Sequence, residues 1–216
     1  MAQQGIGELD RDRTVVVATG NAHKLQEIEA ILGAAPAMRG FSFVALGDLG
    51  DYPDPEENGQ TFFENALIKA SAALDQTGLR MAVADDSGLV VDALDGAPGI
   101  YSARWAGRHG DDEANNDKLL AQMANVPDER RTARFHSAVV LVTRDEDGEE
   151  VLAGEGDCEG TIGHERRGTN GFGYDPLFEL ADLPGRRMAE LEPEEKNAIS
   201  HRRRALDDLV SKLDEE

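Results

Sequence analysis

Short apolar runs recur along the chain, and their spacing alternates between a strand-like and a helix-like period. Thr14-Val-Val-Val-Ala-Thr19 is a β-branched run of the kind carried by a strand buried on both faces. Gly20-Asn21 breaks it. Leu25, Ile28, Ile31 and Leu32 then fall on one helical face, which predicts a helix over 22–32 stopped by Gly33. Phe41 to Leu46 reads as a second strand. A polar stretch with two prolines, 51–59, leads to Thr61 and Glu64, which have capping-box spacing and open a helix to about Gln76, ended at Gly78. Met81 to Ala84 and Leu89 to Val91 read as two short strands with a tight turn at Asp85-Asp86-Ser87-Gly88 between them.

Asp111 or Asp112 begins another helix, which ends before Pro127. Ala133 to Val142 is a long apolar strand, and the Asp145-Glu-Asp-Gly148 turn predicts a hairpin into 150–153. That strand is expected to reach Ile162, with a bend at Gly154 or Gly156. Gly168 to Gly173 reads as a glycine-rich loop. A last helix, from about Glu194 to Lys212, buries Ile199, Leu206, Leu209, Val210 and Leu213. Strand–helix alternation beside an antiparallel pair makes the chain α/β.

Composition narrows the setting. At 216 residues with 40% hydrophobic content, the chain forms one sizeable domain or two small lobes sharing a core. Residues 1–13 have no apolar core of a signal peptide and are expected to form a short, disordered extension before the domain at 14–216. No apolar run is long enough to span a membrane. The single cysteine, Cys158, excludes an internal disulfide and fits a reducing, cytoplasmic setting; its acidic neighbours disfavour a reactive thiolate. The formal net charge of −21 opposes nucleic-acid binding, which rests on neutralising phosphates, but not the binding of a small anion where basic groups collect, as at Arg166-Arg167 and His201-Arg-Arg-Arg204. His23, His109, His136 and His164 lack metal-ligand spacing, so no zinc site is expected.

Four places have residue types suited to chemistry. At Asp85-Asp86, paired carboxylates follow an apolar run; such a pair suits a hard cation such as Mg²⁺, and one member can activate a water. At Thr19-Gly20-Asn21-Ala22-His23-Lys24, a strand gives way to a helix N-terminus, where backbone N–H groups and Lys24 can meet an anion. Glu57, or Glu56, is a candidate to join Asp86 around Mg²⁺; Asn65 and Lys69 share a face of the following helix, so Lys69 either reaches the same place or stays in solvent. In Asn170-Gly-Phe-Gly-Tyr-Asp175, glycines allow close approach of a flat ligand, a ring offers a stacking face, and Asp175 can accept hydrogen bonds from a base edge or a sugar. Lys196 and His201 are five residues apart, not quite on one helical face; a break near Ser200, or a long cleft-lining helix start, would let both serve one site.

The motifs Ala18-Thr-Gly-Asn-Ala-His-Lys24, Glu57-Asn-Gly-Gln-Thr-Phe-Phe-Glu-Asn-Ala66, Ala84-Asp-Asp-Ser-Gly-Leu89, Gly96-Ala-Pro-Gly-Ile-Tyr-Ser-Ala-Arg104, Gly171-Phe-Gly-Tyr-Asp-Pro176 and Glu195-Lys-Asn-Ala-Ile-Ser-His-Arg202 stand in one order from about Thr14 to Leu213. In that order they resemble the inosine triphosphate pyrophosphatase family, also called XTP/dITP diphosphatases. The resemblance implies an elongated mixed sheet flanked by helices, two lobes with a deep substrate cleft, and a homodimer. It implies Mg²⁺-dependent hydrolysis of dITP, ITP and XTP to monophosphate and pyrophosphate, which cleanses the nucleotide pool. By position, Asp86 matches the proton acceptor and a metal ligand, with Glu56 or Glu57 the acidic position near the metal. Ser87 matches a substrate contact, and Thr19 to Lys24 match the triphosphate turn. Phe172, Gly173, Tyr174 and Asp175 match the base-contacting loop, and Lys196, His201 and Arg202 match the remaining nucleotide contacts. Two other readings stay open on the residues alone. One is a Maf-type pyrophosphatase acting on dTTP or UTP, and the other is a nucleotide sensor without catalysis.

Overall fold

The computed structural model describes residues 6–19 and 22–214, without the side chains of Glu8, Ala22 and His23. Six strands hydrogen-bond in the order β2-β1-β3-β4-β5-β6. They are β1 (Thr14–Val17), β2 (Ser42–Ala45), β3 (Met81–Val91), β4 (Thr132–Arg144), β5 (Glu149–Ile162) and β6 (Phe178–Leu180). The helices are α1 (Ala22–Leu32), α2 (Leu46–Leu49), α3 (Phe62–Thr77), α4 (Asp112–Met123), α5 (Pro193–Ile199) and α6 (His201–Leu213). The α/β class expected from the periodicity is the class observed. The chain gathers into two compact units, and β3, β4 and β5 each contribute one end to either unit.

The first unit comprises the residues up to Asp86, Ala138–Gly156 and those from Arg204 onward. β1 pairs in parallel with β2 and with β3, so Val15 lies opposite both Phe43 and Met81. Parallel neighbours need crossovers, which α1 and α3 supply. Strand alternation then sorts the core into two layers. Val15, Val17, Val83, Val139 and Leu141 face Ile28 and Leu32 of α1 and Leu206 and Leu209 of α6. Val16, Ala82, Ala84, Val140 and Val142 face Ala66, Ala70, Ala73 and Leu74 of α3. Each fully buried Val or Leu contributes about 1.5–3 kcal/mol, so these two layers outweigh any single polar contact in the unit. Thr61 caps α3 by accepting from the Glu64 amide, and Gly78 closes it in the left-handed conformation, φ 67°. The Glu64 carboxylate bonds the Gln60 amide, one residue before the position a capping box specifies.

The second unit comprises Ser87–Ser137 and Asp157–Arg203. Its core joins Leu89, Val91, Phe135, Cys158, Ile162 and Phe178 to Leu119 and Met123 of α4, with Tyr174, Leu177, Met188 and Leu191. β5 and β6 pair antiparallel, Gly160 opposite Leu180. Arg131 is buried, and its guanidinium donates to the carbonyls of Ile162 (2.6 Å), Met123 (2.7 Å) and Gly163 (2.8 Å).

Four expectations are corrected here. The turn at Asp85-Asp86-Ser87-Gly88 does not form: β3 runs unbroken through it, because strand pairing and the flanking apolar residues outweigh local turn preference. β5 likewise runs unbroken through Gly154 and Gly156. Gly154 serves close packing instead, since a Cβ there would run into the Ala205 carbonyl of α6. The last helix is two, because Ser200 adopts an extended conformation (ψ 153°) and its hydroxyl accepts from the Arg203 amide at 3.0 Å. The extension expected to be disordered over 1–13 is placed from Ile6 onward. Ile6 and Leu9 pack on the α3 layer, and Arg11 donates to the Gly78 carbonyl at 3.1 Å; residues 1–5 lie outside the described residues.

Candidate active site

The continuous strand decides what the adjacent carboxylates do. Side chains alternate along β3, so Asp85 shares a face with Val83 and Asp86 shares the opposite face with Ala84. Each finds a lysine on the helix that covers its face. Lys24 of α1 bonds both oxygens of Asp85, at 2.8 and 2.9 Å, and the Asp85 side chain is 2% exposed. Lys69 of α3 bonds Asp86 at 2.8 Å and reaches Glu57 at 3.1 Å. Asn65, one turn before Lys69, donates to Asp86 at 3.4 Å and accepts from the Gly59 amide at 3.0 Å, which ties the acidic loop to the strand.

Asp86, Glu57, Lys69 and Asn65 therefore form one polar group, with Asp85 and Lys24 on the other face. Burial pushes the Asp86 carboxyl above the usual carboxylate range against the pull of Lys69, and the charge of Glu57 adds to the push. Burial works against the charge of Lys69, but Asp86 and Glu57 outweigh it and hold the ammonium above its ordinary value. A carboxylate that takes up a proton readily, beside a second carboxylate, is suited to accept a proton from water. Among the described residues no three His, Cys, Asp or Glu side chains converge as a metal cage. Two carboxylates drawn to one cation are, however, hard oxygen donors of the kind that could serve a divalent ion which keeps several waters of its own. The donor set of Asp86 and Glu57 thus fits that ion. Glu56 is exposed, and Ser87 follows half-buried on β3. Thr19 is half-buried after β1, its amide bonded to the Val17 carbonyl at 2.8 Å. Gly20 and Asn21 lie outside the described residues, as do the side chains of Ala22 and His23.

A second constellation lies within the second unit. Asp175, 2% exposed, accepts from the Phe172 amide at 2.9 Å and from Lys196 of α5, both on Oδ2. Lys196 also sits 4.4 Å from the centroid of the Phe172 ring, which is 63% exposed. Burial is the main influence on Asp175 and raises its carboxyl, with Lys196 opposing. Gly171 has φ 77°, and a Cβ there would collide with Asp175. Tyr174 lies in the core rather than at the loop surface; its hydroxyl donates to the Ser102 carbonyl at 2.9 Å, and burial pushes its pKa up. Ser102 in turn accepts from the Leu89 amide at 2.9 Å and donates to the Gly99 carbonyl at 2.6 Å, so the Gly96–Arg104 motif braces the loop. His201 and Arg202 open α6, both buried, with the His201 ring stacked 5.2 Å from Phe135.

The structure brings Phe172, Gly173, Asp175 and Lys196 together, and Asp86 together with Glu57. Sequence reasoning left Lys69 undecided between solvent and site, and it missed the contacts of Asp112 and Asn116 with the loop altogether. The i, i+4 relation of Asn65 and Lys69 was the available signal for the first; an acid and an amide at a helix start give none for the second.

Residues 15–212 match the sequence model of the Ham1 family. A dITP/XTP pyrophosphatase of Geobacter sulfurreducens is 53% identical over 192 residues, which cover 89% of this chain and 92% of that protein. Another, of Corynebacterium efficiens, is 50% identical over 206 residues, covering 93% and 97%. Among solved structures, a HAM1 protein from Coxiella burnetii matches with a TM-score of 0.82 at 42% identity, over 94% of this chain and 99% of that one.

Proposed function

The chain belongs to the Ham1 family, and from that premise we propose that it hydrolyses non-standard purine nucleoside triphosphates, dITP and XTP among them, to the monophosphate and pyrophosphate. The observation in its own residues that carries the reading is the Asp86–Lys69–Glu57 group, a raised carboxyl paired with a cation and a second carboxylate. Asp86 accepts the proton of the water that attacks the α-phosphorus. Lys69 neutralises charge at the phosphates and keeps Asp86 oriented. Asp86 and Glu57 would hold Mg²⁺, which would supply charge neutralisation of the phosphate oxygens. The start of α1, with Thr19 to Lys24, binds the phosphate tail.

The base belongs to the second unit's loop. Phe172 offers a ring for stacking, and its amide and Lys196 fix Asp175 from one side. With both of these bonds on Oδ2, Oδ1 is the oxygen that accepts from the N1–H of hypoxanthine or xanthine. Adenine has no hydrogen there, and its 6-amino group cannot accept from a donor such as His201 or Arg202, so it leaves buried groups unpaired. Guanine shares both features of the correct bases, so refusing it takes a second feature, and a pocket that offers its 2-amino group no acceptor would supply one. Tyr174 anchors the loop from the core. The family resemblance alone carries the further proposal of a cytoplasmic homodimer; separately, among the described residues no helix is long and apolar enough to cross a membrane.

Pyrophosphate release from dITP, XTP, dATP, dGTP and dTTP, with Mg²⁺ and with EDTA, tests the assignment. Metal-dependent release confined to dITP and XTP is expected; preference for dTTP or dATP would refute it. The same assay separates the two acids. Glu57→Gln is expected to raise the Mg²⁺ concentration for half-maximal rate about tenfold, on the order of one charge-assisted contact, and Glu56→Gln to leave it unchanged.

A further inference from the structure

Two side chains of α4 bond the backbone of one residue in the glycine-rich loop, Gly173. Asp112, in the first turn of α4, accepts from the Gly173 amide at 2.7 Å, and Asn116 donates from Nδ2 to the Gly173 carbonyl at 2.7 Å. The i, i+4 spacing puts the two on one helical face. Asn116 Nδ2 also donates to the Asp112 carbonyl at 2.7 Å, and Asn116 is 2% exposed, so its amide is locked in this direction. Gly173 has φ 60°, and both of its backbone polar groups are thereby held from the helix. The neighbouring Phe172 ring is 63% exposed, with the Lys196 ammonium 4.4 Å from its centroid, so its position depends on how its backbone is held.

We propose that Asp112 and Asn116 are positioning residues for the base end of the site: they clamp Gly173 so that Phe172 and Asp175 are presented in place before the purine arrives. This rests on the function proposed above for what the loop binds. A loop ordered in advance loses less freedom on binding, so the clamp acts on substrate affinity and leaves the chemical step at Asp86 alone.

Steady-state kinetics of the full chain with dITP and Mg²⁺ test it on Asp112→Ala, Asn116→Ala and Asp112→Asn. The two alanine variants are expected to raise KM about tenfold with kcat within about twofold, and Asp112→Asn, which keeps an acceptor in place, to return KM to within about threefold of wild type. Product inhibition by pyrophosphate, which carries no base, is expected to keep its constant. A merely structural role would move that constant and kcat along with KM, and this pattern would overturn the proposal, as would unchanged KM in both alanine variants. Hydrogen exchange of the Gly173 amide in the unliganded wild-type chain needs no variant and no turnover. Protection is expected, and exchange at the rate of an open peptide would overturn the clamp. Failure of the wild type to hydrolyse dITP would refute the function, leaving the exchange rate to decide the clamp.

Discussion

Asp86→Asn is expected to lower turnover of dITP about 10³-fold while the chain stays folded, because an amide has the shape of the carboxylate but cannot take a proton from water. Its oxygen can still accept from Lys69, and Lys69 keeps Glu57 as an ionic partner 3.1 Å away. The substitution also removes a charge that burial disfavours. Its midpoint of thermal unfolding should therefore stay within about 3 °C of wild type, a span that corresponds to about 1 kcal/mol in a chain of 216 residues. Turnover at saturating dITP and Mg²⁺, measured beside the melt, checks both halves. Turnover within tenfold of wild type would remove Asp86 from the proton-accepting role.

Why Asp86 rather than Asp85 should carry this chemistry follows from strand geometry. Both are aspartates on β3, and both meet a lysine. Asp85 is sealed, 2% exposed, with both oxygens taken by Lys24. The Asp86 side chain is 12% exposed, lies beside a second carboxylate, and shares its lysine with that carboxylate. A two-residue motif is thus split by the pleat into one sealed acid and one partly open acid beside a second carboxylate.

That split was the least legible part of the sequence. Asp85-Asp86-Ser87-Gly88 has turn composition, and nothing local says that neighbouring strands will hold it extended; the override is tertiary. The helices were more legible, because α1 and α3 signal themselves through apolar periodicity, Thr61 and the terminal glycines. Lys69 could be placed on a helix face but not against Asp86, since that required knowing which face of β3 Asp86 takes. The break at Ser200 was open as a possibility because it would let Lys196 and His201 serve one place; the extended Ser200 and its cap on α6 are that break. Arg131 had no signal at all, because a cation that satisfies backbone carbonyls from two separate segments, the ends of α4 and β5, is visible only once those segments meet.

Lys196→Met is expected to destabilise the chain by about 3–5 kcal/mol at neutral pH, with a much smaller loss near pH 4, since it leaves a buried carboxylate without its cation. Asp175 is held above its ordinary carboxylate value, first by burial, with Lys196 the main opposing influence. A carboxyl whose folded pKa is raised favours the folded state below its unfolded pKa, near 4, and loses that contribution as the pH rises through the folded pKa. Removing Lys196 takes away the opposing charge, so the folded pKa climbs further and more stability is forfeited at neutral pH. Below the unfolded pKa the carboxyl is protonated in both states, and what remains is the lost contact of the ammonium with the Phe172 ring. Denaturant melts of wild type and variant at pH 4 and pH 7.5 measure the difference directly. A deficit that grows with pH identifies Asp175 as its source, whereas one that is equal at both values would place the role of Lys196 in packing alone.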